Sequence, residues 1–298
     1  MQADRVKASK MRKRINEPYG GFAGKVGKVF STSEPDWPKP PTAPEGSPNV
    51  LVMLVDDLGF SDLGCFGSEI DTPNIDALAA GGIRYTNFHV NPMCSPTRAS
   101  LLTGLNSHMA GMGHVAHFDP GFPGYAMELR ENAVTMGDLF QVNGWASLMV
   151  GKWHLGFESP NIPNDRGFDF FHGFLADMMD DYWSHLRGGV NWMRLNKKEI
   201  SPKGHATEVF TQWAIDYVKK QSTNKKQPFF LYLAYNAPHF PIQPPKNWLE
   251  KVQKREPQLE LKRATNVAFV EHMDHEIGRF VDAIGEAGIA ENTLILFS

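Results

Sequence analysis

Asn49-Val50-Leu51-Val52-Met53-Leu54-Val55-Asp56-Asp57 is the stretch from which the architecture can be read. Val50 to Val55 are all apolar, rich in β-branched residues and too few for a helix, so they predict a strand buried on both faces. Two adjacent carboxylates end it. Downstream, Thr72-Pro73 before Ile75, Leu78 and Ala79 reads as a helix start and its apolar stripe, with Gly81-Gly82 as its stop. Strand patterns follow at residues 83–90, 146–150, 229–234 and 293–297, and helical ones at 135–142 and 205–220. Leu261, Ala264, Ala268, Met273, Ile277, Val281 and Ile284 mark a long amphipathic helix closed by Gly288. Alternating strands and helices predict an α/β fold: a large, mostly parallel mixed sheet flanked by helices on both faces, with function at the carboxyl ends of the strands.

Composition narrows the classes. The 298 residues are 42% hydrophobic and 21% charged, and 30 basic against 33 acidic side chains give a formal charge of −3. That excludes a disordered chain, a collagen, a disulfide-stapled mini-protein and a polybasic nucleic-acid binder. Cys65 and Cys94 are the only cysteines, so apolar burial must supply stability. No apolar run reaches the roughly 18 residues a membrane span needs, so no membrane partner is expected. Arg5, Lys7, Lys10, Arg12, Lys13 and Arg14 form a basic start without the apolar stretch of a signal peptide, which reads as a mature or cytoplasmic protein. Pro35, Trp37, Pro38, Pro40, Pro41, Pro44 and Pro48 make residues 1–48 an extended arm or tail, with Trp37 packed on the surface. Residues 49–298 form the domain. The chain stops at Ser298 just after an apolar strand has begun, which reads as a fragment lacking the C-terminal part of that domain.

Adjacent carboxylates at the end of a buried strand raise one another's pKa unless a cation compensates them. Oxygen-only ligands favour calcium or magnesium; the alternative is one Asp capping a turn and the other solvated. Cys94-Ser95-Pro96-Thr97-Arg98 opens a second element, with Leu101 and Leu102 buried and Gly104 as stop. Cys94 then lies at a helix N-terminus with Arg98 one turn along, where free amides, the helix dipole and a guanidinium favour an anion. Cys65 is read as a small buried hydrophobe. Lys152 and His154 are two residues apart, so in extended backbone their side chains share a face. His272 and His275 are assigned to the polar face of the long helix rather than to a metal pair, and Trp153 to packing.

Cys94-Ser95-Pro96-Thr97-Arg98 running into Ser100-Leu101-Leu102-Thr103-Gly104 resembles the signature of the formylglycine-dependent sulfatases. Val55-Asp56-Asp57-Leu58-Gly59, Thr72-Pro73-Asn74-Ile75-Asp76-Ala77-Leu78, Gly151-Lys152-Trp153-His154-Leu155-Gly156 and Ala237-Pro238-His239 match the same family in order. The likeness covers about residues 49–298 and is nearest to bacterial arylsulfatases. It implies an alkaline-phosphatase-like core and a cysteine oxidised to an aldehyde by a formylglycine-generating enzyme. One hydroxyl of the hydrated aldehyde attacks sulfur. Loss of the proton from the other then expels sulfate, a route closed to serine, which has a single oxygen on that carbon. The resemblance further implies calcium, rather than magnesium, held by Asp56, Asp57 and residue 94. Arg98 stabilises that residue, Lys152 contacts sulfate, His154 hydrogen-bonds the diol and His239 protonates the leaving oxygen.

Calcium takes about six to eight oxygens, and the family's further Asp-Asn pair and sulfate-binding lysine have no counterpart before Ser298, so the chain alone is expected to be inactive. The competing readings are a phosphomonoester or phosphonate hydrolase of the same superfamily and an inactive binder of sulfate esters. The substrate expected is a small sulfate ester whose alcohol portion is open. Residues 113–127 and 157–196 read as irregular loops at a pocket mouth, where Phe118, Phe122, Tyr125, Tyr182 and Trp183 either stack on an aryl ring or pack the loops.

Overall fold

The computed structural model describes Phe22 and residues 24–36, 40–224 and 227–298. The basic start, Trp37 and Pro38 lie outside the described residues. The chain divides into two units, Met1–Pro41 and Thr42–Ser298. In the first, Lys25 and Glu34 form an antiparallel bridge around a 3-10 turn, Phe30–Thr32. Residues 42–48 go with the second unit: Trp145 Nε1 donates to the Pro48 carbonyl at 3.0 Å, and Thr42 and Ala43 pass against the bare Cα of Gly144.

The second unit runs β1 (Asn49–Asp56), α1 (Pro73–Ala80), α2 (Cys94–Thr103), α3 (Met136–Val142), β2 (Ala146–Lys152), β3 (Phe170–Phe174), β4 (Leu186–Arg187), β5 (Val190–Asn191), β6 (Met193–Leu195), β7 (Lys198–Glu199), α4 (Ala206–Ser222), β8 (Phe229–Pro238), α5 (Lys246–Arg255), α6 (Leu261–Glu286) and β9 (Thr293–Phe297). Seven strands form one sheet in the order β7-β6-β3-β2-β8-β1-β9. The pairs β3–β2, β2–β8, β8–β1 and β1–β9 are parallel, and β6 and β7 add an antiparallel edge. This is the predicted mixed, mostly parallel sheet.

Alternation explains why the middles of β1 and β8, residues 50–55 and 229–235, carry no charged or amide side chain. Leu51, Met53, Val55, Leu231, Leu233 and Tyr235 pack with Phe210, Ala214 and Val218 of α4 and Val267, Ile277 and Phe280 of α6. Val50, Val52, Leu54, Phe230, Tyr232 and Ala234 pack on the other face with Ala99 and Leu102 of α2 and with Phe168. Both faces are dry, so neither series of residues can be polar. At the carboxyl end the register of β1 and β8 shifts, Leu54 facing Ala234 but Asp56 facing Pro238. This irregularity carries His239 to the level of Asp57.

Several expected boundaries move. Residues 83–90 form no strand; Ile83, Tyr85, Phe88 and Val90 are exposed, and no described strand pairs with them, so their β propensity has nothing to act on. The 157–196 region, expected to be irregular, contributes β3 to the main sheet, because Phe171 and Phe174 bury completely beside β2. β2 extends to Lys152 and β8 to Pro238, placing polar residues inside strands whose apolar pattern had already ended. His272 is also not on a polar face: α6 lies between α4 and α5, and the ring is 1% exposed against His205 and Trp248.

Gly151 sits inside β2 with φ of 99°, and a Cβ there would stand 1.9 Å from the Ala234 carbonyl oxygen. Both the left-handed backbone and the close approach of β8 require glycine. Gly151→Ala should therefore lower the unfolding free energy by about 3 kcal/mol in denaturant titrations; a loss under about 1 kcal/mol would show that β8 yields at this point.

Candidate active site

The carboxyl ends of the adjacent strands β2, β8 and β1, and the start of α2, bring the predicted residues together. Asp56, the last residue of β1, is 3% exposed and faces two cations. Arg98 Nη2 donates to Oδ1 at 3.1 Å and Lys152 Nζ donates to Oδ2. Lys152 is wholly buried, and Arg98 is fixed further by donating to the Lys152 carbonyl at 2.9 Å and the Tyr232 hydroxyl at 3.3 Å. Burial alone would raise the Asp56 carboxyl; Lys152, Arg98 and His239 outweigh it and hold the group below the usual carboxylate range. Arg98 thus grips the Asp56 carboxylate.

Cys94 is the first residue of α2, after an extended Met93, in a helix of 10 residues that ends at left-handed Gly104. Its Sγ lies 3.2 Å from His154 Nδ1. Ser95 Oγ ties the helix start to the same segment, donating to the His154 carbonyl at 2.8 Å and accepting from Ala116 N–H at 3.1 Å. His154 follows β2 with φ of 54°, so it does not share an extended face with Lys152: one side chain turns to Asp56 and the other to Cys94. Burial pushes the thiol up, and Lys152 and Arg98 do not compensate. Burial, then Lys152, Arg98, His117 and His239, holds His154 well below the ordinary imidazole range.

Asp57 turns outward at φ of 64°, its side chain 57% exposed, and His239 Nε2 stands 3.4 Å from its Oδ2. The other ring nitrogen of His239 is 2.7 Å from the Phe240 carbonyl, and Tyr182 donates to the His239 carbonyl at 2.9 Å. The two aspartates thus occupy different environments, and among the described residues no three His, Cys, Asp or Glu side chains converge as a ready ligand set. Their chemistry still fits a hard cation. Each Asp56 oxygen uses one lone pair and keeps another, and Asp57 is open to solvent.

A family model described as Sulfatase matches residues 48–298. The chain belongs to the sulfatase family. Arylsulfatase of Klebsiella aerogenes is 29% identical over 86% of this chain and 66% of its own length. Mouse arylsulfatase J is 33% identical over 88% of this chain and 44% of its own. The crystal structure of Ps i-CgsB in complex with k-i-k-neocarrahexaose superposes with a TM-score of 0.75 at 31% identity, covering 84% of this chain and 58% of that one. The chain spans about two-fifths to two-thirds of the length of these relatives.

The candidate site also contains residues that motif reading missed. Tyr232 was hidden in an apolar strand, although its hydroxyl reaches Arg98. His117, from the loop after α2, places Nδ1 3.3 Å from His154 Nε2, and no spacing rule ties positions so far apart. Of the aromatic residues assigned to the pocket mouth, Tyr182 is buried among His205 and Phe269 and packs the core, whereas Phe118, Phe122 and Trp183 are exposed.

Replacing Asp56 by Asn would leave two buried cations facing a neutral amide, and should cost about 3–5 kcal/mol of stability. The folded Asp56 carboxyl titrates lower than the unfolded one. Its contribution is therefore present above the unfolded value of about 4 and is lost as pH falls through the folded value. Unfolding measured across acidic pH should show wild type losing stability below about pH 4 that Asp56→Asn does not lose. Identical acid limbs would mean that the Asp56 charge carries none of this stability.

Proposed function

We propose that the chain carries the catalytic site of a sulfate monoester hydrolase of the arylsulfatase kind, acting through residue 94 after a formylglycine-generating enzyme has oxidised its cysteine. The observation that carries this reading is Cys94 at the head of a helix, 3.2 Å from a buried imidazole and beside a buried lysine and arginine that share one carboxylate. As a thiol the residue is a poor nucleophile, because burial raises its pKa and the thiolate is the reactive form. A hydrated aldehyde supplies a two-oxygen nucleophile that does not depend on a thiolate.

Lys152 and Arg98 against Asp56 leave one net positive charge buried next to residue 94, a preorganised field for a tetrahedral anion. His154 stands against the reacting oxygens. His239 has Nδ1 directed at the Phe240 carbonyl, which requires a hydrogen there, so Nε2 is the nitrogen that exchanges a proton with the leaving alcohol. Asp57 Oδ2 stands 3.4 Å from that nitrogen. Asp56, Asp57 and residue 94 would hold calcium, whose charge would polarise a sulfate oxygen and lower the pKa of the nucleophile. These two carboxylates supply fewer oxygens than calcium takes, so the remaining ligands come from other residues.

Coexpression with a formylglycine-generating enzyme should yield a residue-94 peptide bearing an aldehyde in place of the thiol-bearing group. In a protein that joins this chain to residues completing the metal shell, cleavage of 4-nitrophenyl sulfate should exceed that of 4-nitrophenyl phosphate. Cys94→Ala should reduce it by at least about 10⁴-fold, and chelation should abolish it until calcium is restored. An unmodified thiol with preferential phosphate cleavage would instead establish the phosphohydrolase reading, and sulfate-ester affinity without turnover the binder.

A further inference from the structure

The rings of His117 and His154 lie within 12° of parallel with centroids 5.5 Å apart, while His117 Nδ1 and His154 Nε2 are separated by 3.3 Å. Nitrogens that close with centroids that far apart meet edge to edge, as a hydrogen bond does, rather than face to face. The same Nδ1 of His117 is 3.8 Å from Asp177 Oδ2. Asp177 is itself locked in place: Arg187 donates from Nε to Oδ1 at 2.9 Å and from Nη2 to Oδ2 at 3.0 Å. Burial would raise the Asp177 carboxyl, but Arg187 and its other partners hold it below the usual range, so it is an acceptor only.

We propose that His117, directed by Asp177, is a positioning residue that fixes the tautomer of His154 so that His154 presents Nδ1–H to residue 94. The argument is one of polarity along a chain of contacts. A lone pair on His117 Nδ1 would face the Asp177 carboxylate, whereas a hydrogen there is attracted to it. Once Nδ1 carries the hydrogen, His154 Nε2 must receive it with a lone pair, and the hydrogen of a neutral His154 moves to Nδ1. The Cys94 thiol does not oppose this, because an S–H turns about its bond and a carboxylate has no hydrogen to turn. His154 then donates a hydrogen bond to residue 94, and its ring is held by contacts on both edges. The effect on turnover rests on the catalytic reading of residue 94; the tautomer does not.

Nitrogen-15 spectra of histidine-labelled protein test it. His154 can be assigned from contacts between its ring and that of His117, and from loss of its signals in His154→Gln. In wild type, His154 Nδ1 should be pyrrole-like and Nε2 pyridine-like. His117→Asn places an amide nitrogen where Nδ1 stood and should keep this pattern, whereas His117→Ala should mix or reverse it. A pyridine-like Nδ1 in wild type, or a pattern unchanged in His117→Ala, would overturn the proposal. With residue 94 in its aldehyde form, His117→Ala should lower kcat for an aryl sulfate by about 10- to 100-fold with KM little changed, and His117→Asn should recover most of the loss. The spectra need no turnover, so an absence of sulfate ester hydrolysis would count against the reading of residue 94 and leave the tautomer result standing.

Discussion

The Asp56 carboxylate, buried at the end of β1 between the Lys152 ammonium and the Arg98 guanidinium, is the interaction on which the site depends. Three elements converge on it, because Asp56 ends β1, Lys152 ends β2 and Arg98 lies one turn into α2. Each of these charges is costly to bury alone, and each is made tolerable by the others. The arrangement therefore locks the helix that begins at Cys94 to the central strands. It also leaves an excess of one positive charge beside residue 94, a place suited to an anionic group.

The surrounding packing makes this possible. Parallel strands buried on both faces deliver their carboxyl ends to one rim, and the register shift between β1 and β8 brings His239 level with Asp57. Left-handed backbone at Asp57 and His154 then turns successive side chains apart. Asp56 points inward while Asp57 faces solvent, and Lys152 reaches Asp56 while His154 reaches Cys94. Such positions are strained for non-glycine residues, and here they coincide with the polar residues of the site.

Much of the frame was legible in the amino-acid order, because its causes are local. A continuous apolar run means a doubly buried strand, and Cys94, Pro96 and Gly104 bracket a helix whose observed limits are Cys94–Thr103. Reading failed where partners decide. Residues 83–90 carry a strand-like composition but pair with nothing among the described strands. β3 was hidden within an aromatic, irregular region, and His272 looked like a surface residue until α4 and α5 closed over it.

The sequence by itself determined the α/β class, the order of the principal elements and seven polar residues gathered at one rim of the sheet, since apolar periodicity and short motifs are properties of neighbouring positions. Tertiary structure alone decided what those residues face: Arg98 on Asp56, Lys152 and His154 on different targets, and His117 with Asp177 behind His154. Contacts between residues distant in the chain are set by strand register, burial and backbone turns, and none of these leaves a spacing that can be read along the chain.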